Sequence, residues 1–214
     1  MQERFSESEK AIIPIAAFAA SGDVDNMRKA FAEGLESGLS INEIKEILVQ
    51  LYAYCGFPRS LNALGAFMSL IEERKESGIE DLQGEASSTE PVVENSLTLG
   101  TETQTKLVGQ TVSGALFDFA PAIDQYLKAH LFGDIFAQDV LTWKQRELAT
   151  ISALSNMQGV SSQLQSHYFI SMNNGITPAL LEQFVSIVTE RCGEPASVNA
   201  KRVLDNVLQA IQSN

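Results

Sequence analysis

The apolar positions of this chain fall at helical intervals, and they do so twice. Ile44, Ile47, Leu48 and Leu51 recur at i, i+3, i+4 and i+7, the spacing that lines one face of an α-helix. Leu181, Phe184, Val185 and Val188 repeat the stripe at an offset of 137. The residues that punctuate the stripe keep that offset. Gly38-Leu39-Ser40 falls on Gly175-Ile176-Thr177, Cys55-Gly56-Phe57-Pro58 on Cys192-Gly193-Glu194-Pro195, Asn62-Ala63 on Asn199-Ala200, and Gly22 on Gly159. Upstream of Gly22 the offset becomes 136, with Phe5 on Leu141 and Lys10 on Arg146. An ordered series of this length marks an internal repeat.

Each copy reads as three helices followed by a fourth. The first spans about residues 6–20 and 142–157, with Ser6 and Thr142 as N-caps and Glu9 and Gln145 three residues on, the pattern of a capping box. The second covers about residues 24–37 and 161–173, closed by Gly38 and Gly175. Ser40 and Thr177 cap the third, which ends near Gly56 and Gly193; Gly-x-Pro then turns the chain into a fourth helix over residues 60–76 and 197–212. The pattern therefore predicts an all-α protein with a first repeat over 1–80, a linker over 81–110 around the Gly84–Pro91 stretch, and a second repeat over 111–214. Phe117, Phe119, Ile123, Tyr126 and Leu127 suggest one further helix over 117–136, leading into the second copy and packing across the repeat interface.

Composition narrows the partners. A formal charge of −12 argues against nucleic acid, which selects a basic face. Eight acidic residues against two basic ones between Glu72 and Glu94 supply about half of that charge, so it says little about any pocket. No apolar run reaches the roughly 20 residues of a membrane span, and the first residues show no signal-peptide pattern. Two cysteines, Cys55 and Cys192, make no disulfide framework and fit a cytoplasmic location.

Four segments carry a family resemblance: Leu141-Thr142-Trp143-Lys144-Gln145-Arg146-Glu147-Leu148-Ala149, then Leu164-Gln165-Ser166-His167, then Asn174-Gly175-Ile176-Thr177, and in the first copy Tyr54-Cys55-Gly56-Phe57-Pro58-Arg59-Ser60-Leu61-Asn62-Ala63-Leu64. In this order they resemble the carboxymuconolactone decarboxylase family, whose fold is shared with alkylhydroperoxidase D. The resemblance spans nearly all of both repeats. It implies helical subunits assembled as rings, hence a homo-oligomer, with a trimer of two-repeat chains first and a homodimer second. It also implies a small-molecule site near the Glu and the His. The peroxidase-like members carry Cys-x-x-Cys shortly before the His, and this chain reads Val160-Ser161-Ser162-Gln163 there. Thiol peroxidase chemistry is therefore not expected.

The candidate catalytic residues are Glu147 and His167. A neutral imidazole near pH 7 suits a proton donor or acceptor, and a carboxylate one helix earlier would orient it. Alone, His167 would more often be a surface or structural residue, and Glu147 a surface partner of Lys144. Arg146 and Arg59 are the candidates for a substrate carboxylate, since a guanidinium pairs with it bidentately, although for Arg146 a salt bridge is the commoner use. His130 reads as structural and Trp143 as core or interface. The first copy has Ala11 and Ala30 at the Glu147 and His167 positions, so at most one competent site per chain is expected. No clustered His, Cys and carboxylate ligands suggest a metal, and no cofactor is expected. The resemblance points to decarboxylation of a small carboxylated lactone or keto acid, or a close lyase or isomerase reaction. A catalytically silent oligomeric or ligand-binding protein is the alternative.

Overall fold

The computed structural model of the protein describes residues 3–88 and 95–213, and the described residues contain helices and no strands. The first copy supplies α1 (Glu7–Ser21), α2 (Val24–Glu36), α3 (Ile41–Cys55) and α4 (Phe57–Glu76). Between the copies lie α5 (Ser96–Val108), α6 (Ala115–Phe119), α7 (Pro121–Tyr126) and a π-helical segment (Leu127–Ile135). The second copy supplies α8 (Trp143–Ser155), α9 (Ser161–Asn173), α10 (Pro178–Cys192) and α11 (Glu194–Gln212), in the same order as α1 to α4. None of these helices is long and apolar enough to cross a membrane.

The capping boxes form as the spacing predicts. Ser6 Oγ accepts from the Glu9 N–H while Glu9 accepts from the Ser6 N–H, and Thr142 and Gln145 make the same reciprocal pair. Gly56 and Gly193 hold the matching turns at φ of 84° and 91°, a region open to glycine and costly for other residues.

α1 and α8 run through the centre. Ile12, Ile13, Ile15, Ala16, Leu148, Ala149 and Ile151 are all fully buried, so neither helix keeps a polar face over most of its length. The two pack on each other, α1 also packs on α10, and α8 also packs on α3. Each copy thus lends its third helix to the first helix of the other, as in a dimer fused into one chain. A single apolar core runs through both copies.

The segment between the copies departs from expectation. Of the linker read over 81–110, residues 89–94 lie outside the described residues, and 96–108 form α5. The expected helix over 117–136 is divided instead into α6, α7 and the π-helical segment, because Pro121 has no N–H to continue the ladder and starts a new helix. Its main partner is α5 rather than the repeat interface: Leu107, Leu131, Phe132, Ile135, Phe136 and Ile170 form a second apolar cluster. Sequence alone gives α5 little helical preference, since it holds four threonines and Gly100. Close backbone contact holds it: a Cβ on Gly100 would sit 1.7 Å from the Lys128 carbonyl oxygen, and one on Gly133 would sit 2.2 Å from the Ser96 carbonyl oxygen. Gly100→Ala is accordingly expected to cost about 1–3 kcal/mol through overpacking. Hydrogen exchange checks this: protection should fall in α5 and the π-helical segment and be kept in α1 and α8.

Candidate active site

Glu147 enters the site from α8, fully buried, little more than one turn beyond the helix's N-terminal cap. His167 lies in α9, the next helix, with 12% of its side chain exposed. The two meet: His167 Nδ1 lies 2.8 Å from Glu147 Oε2. With the carboxylate ionised, Nδ1–H donates to it, which fixes the tautomer and turns the lone pair of Nε2 outward. The surface pairing of Glu147 with Lys144 is not seen. Lys144 instead reaches α1 and pairs with Glu9 at 2.8 Å.

Tyr54, at the end of α3 in the first copy, completes this arrangement. Its ring stands edge-on to the imidazole, with centroids 5.7 Å apart and planes at 75°. Its hydroxyl and Glu147 Oε1 are both buried without a hydrogen bond. Burial pushes the Tyr54 phenol well above the usual tyrosine range, and the negative charge of Glu147 adds to this; Thr150 and Arg146 oppose without cancelling it. The phenol therefore stays protonated at neutral pH, a donor beside a buried carboxylate. The sequence motif contains Tyr54, but nothing in its spacing shows that the first copy reaches the site of the second; only the reciprocal packing of α3 on α8 does.

Beside His167 opens a cavity of about 1130 Å³. Its floor comes from α9, where Gln163 and Ser166 stand one turn or less before His167, and Tyr54 contributes one wall. Ser162 Oγ donates to Gln163 Oε1 at 2.9 Å, which leaves the Gln163 amide hydrogens available to a bound carbonyl. Val160 and Gln163, where the peroxidase-like pattern has its two thiols, also face this cavity.

The two arginines do not. Arg146 is fully buried and its guanidinium is committed elsewhere: to Gln50 Oε1 at 2.9 Å, Glu46 Oε1 at 2.7 Å and the Gln138 carbonyl at 2.8 Å. Gln50 answers by donating to the Arg146 carbonyl at 2.9 Å. Arg146 is thus a staple between α8 and α3. The helical stripe gave it no reason to be buried; the cross-copy packing did. Arg59 is exposed at the start of α4 and does not line the cavity. His130 makes a half-exposed pair with Asp134 at 2.8 Å, one turn away on the same segment. Trp143 packs beside the second apolar cluster.

The first copy has a small counterpart of the site. Ala11 and Ala30 line a cavity of about 130 Å³, together with Arg191, which stands at the repeat offset from Tyr54. An ion pair between Arg191 and Glu33 lies across it. With methyl groups in place of the carboxylate and the imidazole, this cavity lacks the Glu–His pair.

The cysteines lie outside the large cavity, and burial raises both thiols, that of Cys192 to about 11. Little thiolate forms at neutral pH, so neither is an activated nucleophile. Among the described residues no group of three or more His, Cys, Asp or Glu side chains is arranged to hold a metal ion.

Two repeats of this helical order, with one Glu–His pair between them, define a tandem protein with a single candidate site. Over residues 2–68 and 121–206 the chain matches the model of the Carboxymuconolactone decarboxylase family, and it belongs to that family. No curated protein matches it.

Proposed function

We propose that the protein is a thiol-independent acid–base enzyme of lyase or isomerase type, acting at the carbon next to a carbonyl group. The observation that carries this reading is the 2.8 Å contact between His167 Nδ1 and a fully buried Glu147, in a histidine that lines the large cavity. His167 Nε2 takes a proton from the carbon next to the carbonyl, and the electron pair of that C–H bond delocalises onto the carbonyl oxygen. Glu147 holds the imidazole in the tautomer that can accept the proton, and its charge stabilises the imidazolium that forms. The Gln163 amide is a donor for the developing oxyanion. His167 then returns the proton, to the same carbon or to one further along a conjugated chain. With a carboxylated lactone or keto acid, the precedent in the family name, the C–C bond to the carboxylate breaks instead. His167 Nε2 first takes the proton of the substrate's carboxylic acid, CO₂ then leaves as the bonding pair delocalises onto the carbonyl oxygen, and the imidazolium returns that proton to the carbon.

A panel of keto acids, carboxylated lactones and their uncharged counterparts tests the reading, followed by CO₂ release and by proton migration. Turnover is expected without added thiol or peroxide, and it should survive the double substitution Cys55→Ser, Cys192→Ser. Turnover that needs peroxide and fails in that double variant would overturn it.

A further inference from the structure

The size and lining of the large cavity say more about its occupant than the Glu–His pair does. At about 1130 Å³ it lies at or above the ~300–1,000 Å³ usual for pockets that hold drug-sized molecules. A small lactone acid would leave most of it to water. Leu116, Phe117, Leu131, Phe132, Phe169 and Ile170 give it an extended apolar wall.

Its charge pattern is equally informative. Among the described residues that line it there is no Asp, Glu, Lys or Arg; apart from Tyr54 and His167, the polar groups are neutral amides and hydroxyls such as Gln104, Gln163, Ser166 and Asn173. Arg146 is spent on the staple to α3, and Arg59 lies outside. A carboxylate held against the apolar wall would give up hydration without gaining a cationic partner there. An uncharged body bears no such cost.

One end of the lining falls outside the sequence matched to the family. Val108, residues 110–113, Leu116 and Phe117 belong to the stretch between the two matched segments, which end at 68 and resume at 121. Asn173 and Asn174 fasten this stretch to α9, their amides donating to the carbonyls of Val108 at 2.8 Å and Leu107 at 3.1 Å. The pair that moves the proton comes from matched sequence, and so do Leu131, Phe132, Phe169 and Ile170 of the wall, whereas Leu116 and Phe117 do not.

Resting on the proton-transfer reading above, we infer that the substrate is an uncharged carbonyl compound with an extended apolar body, and that the reaction moves a proton between carbons without loss of CO₂. The body lies along the wall from Leu131 to Leu116, and the carbonyl end lies between Gln163 and His167. One C–H bond breaks and another forms while a conjugated carbon–carbon double bond of the substrate shifts between them: the proton leaves one carbon for His167 Nε2 and is delivered from it to another.

A matched pair of fluorescent probes tests the substrate class. N-Phenyl-1-naphthylamine is uncharged, and 8-anilino-1-naphthalenesulfonate is the same skeleton with one negative charge. The uncharged probe is expected to bind once per chain, about tenfold more tightly than the sulfonated one. Leu116→Arg and Ile211→Arg place a cation at the rim, on residues that are 66% and 44% exposed, where the fold tolerates it. Each should weaken the uncharged probe and strengthen the sulfonated one about tenfold. Equal or tighter binding of the sulfonated probe by the unsubstituted protein would overturn the inference, as would indifference of both probes to both arginines. The two readings fail separately. Retained probe preference with turnover that survives His167→Ala would sink the proton-transfer reading alone. His167-dependent turnover of a small carboxylic acid, with no preference for the uncharged probe, would sink the substrate class alone.

Discussion

Replacing His167 by alanine is expected to lower kcat by roughly 10²–10⁴-fold, the usual worth of a positioned acid or base. Glu147→Gln should fall in the same range, because an amide in place of the carboxylate can neither fix the imidazole tautomer nor balance its positive charge. Both losses should appear in kcat more than in KM, since neither group supplies much of the binding surface. The double variant should be little worse than the worse single one, as expected where two residues act as one unit at a 2.8 Å contact. Multiplying losses would mean that Glu147 and His167 act independently. Glu147→Gln also removes a buried charge whose Oε1 lacks a partner. Its thermal stability should therefore hold or rise, separating a catalytic loss from a folding one.

The second large effect concerns stability. Arg146→Met keeps much of the volume but strands Gln50 Oε1, Glu46 and the Gln138 carbonyl, all of which now accept from the guanidinium. Breaking a buried ion pair by removing one partner costs about 3–5 kcal/mol. Glu46 keeps 16% of its side chain exposed and can partly rehydrate, so the lower end, about 3 kcal/mol, is expected. For a chain of this size that is a fall in Tm of roughly 6–12 °C. Scanning calorimetry measures it directly. The folded fraction should bind substrate as before. A carboxylate clamp at Arg146 would behave in the opposite way, with KM rising sharply and Tm barely moving.

The repeat was legible because its signals are local. Helical stripes, capping boxes and the glycine turns are set within a few residues of one another, and α1 to α4 and α8 to α11 form where those signals stand. The meeting of Glu147 with His167 was also within reach, because both lie on consecutive helices joined by the short turn at Gly159. The remaining features depend on distant neighbours. α5 has no strong preference of its own and exists because two glycines, Gly100 and Gly133, let its backbone touch a segment 33 residues away. Arg146 looks like any charged residue in a first helical turn until α3 of the other copy covers it. Tyr54 joins the site for the same reason. What sequence spacing could not supply was the reciprocal exchange of third helices, and that exchange decides which side chains surround His167.

The central claim is that one proton-transfer site, carried by Glu147 and His167, works in each chain. Deuterium incorporation into a carbonyl substrate in D₂O, followed by NMR at the carbon next to the carbonyl, tests it most directly. The unsubstituted protein should catalyse exchange at that carbon, and His167→Ala should slow it at least about a hundredfold while the fold stays intact. Exchange that continues unchanged in His167→Ala would contradict the account.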